Sequence, residues 1–134
     1  MRRRVSEARV GRIATVTSEG RPHVVPFVFA LDGDTLYSSV DAKPKRSPEL
    51  KRIRNIRANP AVEVVVDDYR EPWPGLWWVR LQGRGEVLED GPERERGLAL
   101  LVEKYPDYSD SPPQDAVVAV RIERWQGWEF RPVE

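Results

Sequence analysis

The chain has 134 residues, enough for one hydrophobic core but too few to enclose a large cofactor without a second copy. It contains no cysteine, which excludes disulfides, thiolate metal sites, iron–sulfur clusters and cysteine nucleophiles. Its formal net charge is zero, which argues against a generally basic nucleic-acid binder. Residues 1–60 carry 13 Lys and Arg against 6 Asp and Glu, and residues 61–134 carry 9 against 16, a division that favours a local anion site or complementary halves meeting in a dimer.

The start, Met1-Arg-Arg-Arg, lacks the apolar run of a signal peptide, and no window approaches the roughly 20 apolar residues of a membrane span. A cytoplasmic protein with no membrane partner is expected. A brief helix through Val5 and Ala8 precedes a strand from Arg12 through Ile13-Ala-Thr-Val-Thr. Ser18-Glu-Gly-Arg reads as a turn, His23 to Leu31 as a second strand, Asp32-Gly-Asp as a turn and Thr35 to Val40 as a third strand. Three successive strands with tight turns predict an antiparallel meander. Pro26 cannot donate to a ladder, so it belongs at an edge or a bulge, where a ligand can reach the backbone.

A loop with Lys43, Lys45 and Arg46 leads to a signed helix start: Ser47 as N-cap, Pro48 at the first helical position and Glu49 in the first turn. Leu50, Ile53 and Ile56 recur on one face, leaving Lys51, Arg52, Arg54 and Arg57 on the others, and Asn59-Pro60 stops the helix. Residues 62–67 read as a strand, 68–75 as a loop, and Leu76 to Glu89 as a long strand bent at Gly83 and Gly85. Pro92 to Lys104 reads as a helix with Leu98, Leu101 and Val102 on its stripe and Gly97 as a weak point. A polar loop runs to Asp115, followed by a strand from Ala116 to Glu123 and a separate short strand over Gly127 to Arg131. The pattern lacks a parallel-sheet signature, repeats and long linkers. It predicts a mainly β, α+β fold: one domain over 1–134, an antiparallel barrel of six or seven strands with two or three short helices.

The stretch Leu36–Pro60 carries the chemistry. Strand-end hydroxyls at Tyr37, Ser38 and Ser39, the loop cations Lys43, Lys45 and Arg46, and Lys51 and Arg52 near a helix N-terminus are the parts of a seat for a phosphorylated cofactor. His23, the only histidine, reads as a surface or hydrogen-bonding residue, and no catalytic acid or base is nominated. Asp67 and Asp68 have no metal-ligand spacing with histidine, so no metal site is expected. Most of the tryptophans Trp73, Trp77, Trp78, Trp125 and Trp128 read as core or interface anchors, and adjacent Trp77 and Trp78 must face opposite sides of their strand. The aromatics lie mostly in the acidic half, away from the basic face, which argues against base stacking and so against nucleic acid.

The order of Arg12-Ile-Ala-Thr-Val, Gly20-Arg-Pro-His-Val-Val-Pro, Leu36-Tyr-Ser-Ser, Lys51-Arg52, Asn59-Pro60 and Gly83-Arg-Gly-Glu-Val resembles the pyridoxamine-phosphate-oxidase-like split barrels. Asp41-Ala-Lys-Pro-Lys-Arg, Arg54-Asn-Ile-Arg-Ala-Asn-Pro, Val66-Asp-Asp-Tyr and Leu76-Trp-Trp-Val-Arg are similar to a branch that uses the deazaflavin coenzyme F420. The resemblance covers nearly the whole chain. It implies a homodimeric oxidoreductase that moves a hydride between the deazaflavin and a small unsaturated or conjugated substrate, with an FMN enzyme or a non-catalytic cofactor carrier as the alternatives. By the same resemblance Lys51-Arg52 grips the cofactor phosphate beside Tyr37, Ser38 and Ser39, and the backbone of Val25, Pro26 and Phe27 lies along the ring. Trp77, Trp78 and Trp125 match regions that reach the cofactor from the partner subunit, and Lys43, Lys45 and Arg46 suit the acidic tail that F420 carries and FMN lacks. The substrate-binding lysine and the C-terminal Arg-x-His of true pyridoxamine phosphate oxidases have no counterpart, so pyridoxamine phosphate is not the expected substrate.

Overall fold

The computed structural model describes residues 1–39, 48–108 and 116–132, with the side chains of 48–50 left out. The elements in chain order are α1 (Arg2–Glu7), β1 (Gly11–Val16), β2 (Pro22–Phe27), β3 (Ala30–Asp32), β4 (Thr35–Ser39), α2 (Pro48–Ala58), β5 (Ala61–Asp68), β6 (Trp77–Leu88), α3 (Pro92–Lys104) and β7 (Val117–Glu129), with a 3-10 turn at Pro106–Tyr108. The seven strands form one antiparallel sheet in the order β2-β1-β5-β6-β7-β4-β3.

This order dictates the shape. Strands β2 and β3 are the two edges, yet only Val28 and Phe29 separate them, a reach of roughly 10 Å. The sheet must therefore curl until its edges almost meet, giving a barrel open along one seam, the split β-barrel the sequence implies. At the seam no ladder serves the Phe29 backbone, and the end of α3 serves it instead. Lys104 Nζ donates to the Phe29 carbonyl at 2.9 Å, as does the Tyr105 hydroxyl at 2.9 Å, which in turn accepts from the Phe29 N–H at 3.2 Å. Burial first, and Arg9 second, push the Lys104 ammonium down to about 8.

The expected meander is not formed. The second predicted strand breaks at Val28-Phe29, so β2 stays with β1 at one edge while β3 and β4 cross the seam and β4 pairs with β7. Phe29 is fully buried and packs 5.2 Å from the Phe27 ring, which draws the chain into the barrel where an unbroken strand would have run past it. Pro26 does lie on an edge strand, paired to β1 alone. The two strands expected at the C-terminal end are one continuous β7, whose extra residue Glu123 is accommodated opposite the step from Gln82 to Gly83. Gly83 permits that bulge: a Cβ there would come within 3.0 Å of the Arg121 carbonyl carbon and closer still to its oxygen.

α3 has the predicted bounds, with Pro92 at its start and two acidic residues in its first turn, where the helix dipole favours them. Gly97 is not merely a weak point, because a Cβ there would meet the Tyr37 ring at 2.8 Å. The same ring carries a hydroxyl that donates to Glu93 at 2.7 Å, and Glu93 is also gripped by Arg121, which bridges to Glu86 at 2.8 Å. These bonds fasten α3 to β4 and β7.

Arg121 first, and the Tyr37 hydroxyl second, hold the Glu93 carboxyl at about 2, below its ordinary 4.5. A carboxyl with a lowered folded-state value contributes stability above pH 4.5, and that contribution is lost as pH falls from 4.5 towards 2. With the side chain 39% exposed, solvent screening leaves about 1 kcal/mol. Glu93→Gln should therefore lose less thermal stability than the parent on going from about pH 6 to about pH 3. Equal acid-induced losses would contradict the assignment.

Candidate functional site

α2 lies across the barrel and buries Arg52, Asn55 and Ile56, positions spaced i, i+3 and i+4 on one helical face. Arg52 is thus not on an outer side of the helix, as the Leu50/Ile53/Ile56 stripe predicts. The face is rotated because the barrel end beneath it is polar, and a guanidinium can bond there where an isoleucine could not. Arg52 is 2% exposed; its Nη2 donates to Ser38 Oγ at 3.3 Å and to the Ser39 carbonyl at 3.4 Å, and its guanidinium carbon lies 5.9 Å from the Phe27 ring centre. Asn55 Nδ2 donates to the buried Thr15 Oγ1 at 3.0 Å, and Ile56 joins the apolar core with Ile13, Leu36, Val62 and Leu81.

One side chain therefore ties together the end of β2, the end of β4 and the first half of α2. Lys51 and Arg54 project to the other side of the helix. With Thr17, Ser18, Glu19, Arg21 and Asn55 they line an open cleft of about 400 Å³ between α2 and the β1–β2 turn. The cation pair Lys51-Arg52 straddles the helix, one member exposed and one buried.

His23 stands on β2 opposite Thr15 of β1, on the same face of its strand as Val25 and Phe27. Burial first, then Lys51 and Arg52, lower its pKa, so the imidazole is neutral at pH 7. Its Nδ1 is shut off from water and has no hydrogen-bond partner among the described residues.

Of the residues nominated from the sequence, the structure brings Phe27, Ser38, Ser39 and Arg52 into contact. Val25 is half-buried against the core, while Pro26 is exposed on the free side of β2. Tyr37 lies on the opposite face of β4 from Ser38, where it packs against α3. Burial, then its bond to Glu93, pushes its hydroxyl up to about 12. Ser39 joins both sides, its carbonyl at Arg52 and its hydroxyl donating to the Tyr108 hydroxyl at 3.2 Å. Lys43, Lys45 and Arg46 lie outside the described residues.

Trp77 and Trp78 do face opposite sides. Trp77 packs on the core beneath Arg4, and Trp78 stacks on Trp128 at 6.5 Å on the outer face. Trp125 donates to Asp34 at 3.2 Å under the Arg2 guanidinium. No described contact joins these three tryptophans to Arg52, Ser38 or Ser39 within the chain. Among the described residues no cluster of three acidic or histidine side chains could hold a metal ion, and no helix is long and apolar enough to cross a membrane.

The family profile described as pyridoxamine 5'-phosphate oxidase matches residues 1–129. The chain belongs to this family. The chain is 31% identical over 88 residues to the 5a,11a-dehydrotetracycline/5a,11a-dehydrooxytetracycline reductase of Streptomyces rimosus, a match over 64% of this chain and 60% of that reductase's length. Among solved structures it is similar to an F420 reductase, with a TM-score of 0.69 and 28% identity over 92% of this chain and 94% of that one. A FAD-binding protein from Mesorhizobium loti aligns with a TM-score of 0.70 and 28% identity, over 94% and 89% of the two chains. The pyridoxamine-5'-phosphate-oxidase-like fold here is thus that of a family of oxidoreductases that bind flavin or deazaflavin cofactors.

Proposed function

We propose that the protein is an F420-dependent oxidoreductase that moves a hydride between the deazaflavin and a small unsaturated or conjugated substrate. The buried Arg52 at the hydroxyl-bearing end of β4 carries this reading, because a guanidinium there has the donor geometry for a phosphate. The donor set fits the anionic arm of such a coenzyme: Arg52 and Lys51 for the phosphate, with Ser38 and Ser39 beside it, and Lys43, Lys45 and Arg46 for the acidic tail. The backbone of Val25 to Phe27 on the free edge of β2 can lie along the ring. When bound, the deazaflavin supplies the hydride chemistry, and the chain has only to orient it and exclude water.

The reading extends to the assembly. The outer sheet face carries two separate exposed apolar features, Val24, 65% exposed, at the β2 edge and the Trp78–Trp128 stack on β6 and β7, on which a second copy can rest. In such a homodimer Trp78 approaches the cofactor of the partner, while Trp77 and Trp125, packed against the core, hold the strands that carry that face. The same reading makes it a cytoplasmic protein. Similarity to a reductase of dehydro compounds supports a conjugated carbon–carbon double bond as hydride acceptor.

The test is turnover: purified protein with reduced F420 and a conjugated enone should return the oxidised deazaflavin in proportion to product. Tight binding without turnover would make the protein a carrier, and a yellow preparation whose activity depends on FMN would favour the flavin alternative.

A further inference from the structure

We propose that His23 is a third ligand of the anion seated on Lys51 and Arg52, binding it as an imidazolium and taking one proton from solvent as the anion enters. The inference rests on the proposed phosphate seat and deepens it.

Three observations carry it. His23, Val25 and Phe27 share one face of β2, and Phe27 already touches Arg52, so the imidazole belongs to the same strand face as the seat. Its Nδ1 is closed to water and makes no hydrogen bond among the described residues, an unusual state for a polar atom beside a polar cluster. The charged groups acting on it are Lys51 and Arg52 of α2, both cationic, whereas its neighbours from β1 and α2, Thr15 and Asn55, are uncharged and bonded to each other. Arg21, Glu19 and Arg54 line a cleft with Lys51 and Asn55, to which His23 does not contribute.

The electrostatic consequence is a reversal of sign. Without an anion, burial first and then the two cations keep the imidazole neutral, which is the direction of its lowered pKa. A doubly charged anion neutralises them and adds its own attraction; an opposite charge within hydrogen-bond reach raises a pKa by about 1 to 3 units. Between the free and bound values, anion affinity must rise as pH falls, by up to tenfold per pH unit.

His23 is the only histidine, so its ring proton resonance reports one site without assignment ambiguity. The probe is sulfate, which keeps both charges through the range in which histidine titrates, with chloride as the ionic-strength control. Saturating sulfate should move the His23 titration midpoint up by about one unit. Sulfate affinity should fall roughly tenfold between about pH 5.5 and pH 7.5 in the parent and stay flat in His23→Gln, which keeps a hydrogen-bonding side chain but cannot take up the proton. Sulfate that binds, and is lost in the Lys51→Ala/Arg52→Ala double variant, with the midpoint unmoved would overturn the role of His23 and leave the seat standing. No sulfate binding dependent on Lys51 and Arg52 would overturn both.

Discussion

Replacing Arg52 by methionine should weaken binding of the phosphorylated cofactor about 100-fold while the chain stays folded. A charge-assisted hydrogen bond contributes on the order of 1.5 to 3 kcal/mol, and a tenfold change corresponds to about 1.4 kcal/mol. Methionine keeps most of the apolar stem that lies against Phe27, so the site does not collapse. Ser38 Oγ and the Ser39 carbonyl lose a donor, which costs stability about 1 to 2 kcal/mol. Lys51→Ala, at an exposed position, should cost less, about 1 kcal/mol of binding. The two changes together should cost several kcal/mol, as expected for groups holding one phosphate from two sides. Titrations of both variants by tryptophan fluorescence, with urea unfolding alongside, separate binding from folding. Unchanged affinity in a folded Arg52→Met protein removes the phosphate seat.

Gly83→Ala should destabilise the fold by about 3 kcal/mol or more, the largest effect of any single methyl added to the sheet. The added carbon meets the Arg121 carbonyl across the β6–β7 bulge, and backbone cannot rotate out of the way as a side chain can. Gly85→Ala provides the comparison. Its Cβ would meet methyl groups of Ile56 and Val62 at 3.0 Å, which can repack, so a loss of about 1 kcal/mol is expected. Urea denaturation should show a lower midpoint for both with an unchanged slope, and a much larger shift at Gly83. Equal shifts would mean that the bulge does not depend on the missing side chain.

The separation between what the residues announced and what they concealed follows from range. Helix α3 was legible to the residue because Pro92, the acidic first turn and Pro106 are local signals. The irregularity at Gly83 was legible for the same reason, whereas Gly85 pairs in register with Val120. The break at Val28-Phe29 was not, since an apolar run reads as one strand until something inside the barrel claims Phe29, and the Tyr105 and Lys104 groups that do so lie 75 residues or more away. The join of β7 was not legible: Gly127, read as the start of a separate strand, lies opposite Val79 in the same β6–β7 ladder. At the site, Tyr37 faces away and Lys43, Lys45 and Arg46 lie outside the described residues, whereas the meeting of a helix cation with strand-end hydroxyls was legible in Arg52, Ser38 and Ser39. The burial of Arg52 was not, because three isoleucine or leucine positions outvote one arginine in any apolar count. The spacing Arg52, Asn55, Ile56 held the better signal: an asparagine in mid-helix needs a partner, and Thr15 is it.

The most direct test of the cofactor seat is a titration of the purified protein with F420 and, separately, with FMN at low and high salt. F420 should bind more tightly than FMN, and its affinity should fall more steeply with salt, because its tail brings carboxylates that FMN lacks and that the proposed pairing with Lys43, Lys45 and Arg46 requires. The Arg52→Met variant should lose most of the affinity for either coenzyme. Binding of FMN with no binding of F420 would contradict the deazaflavin assignment outright.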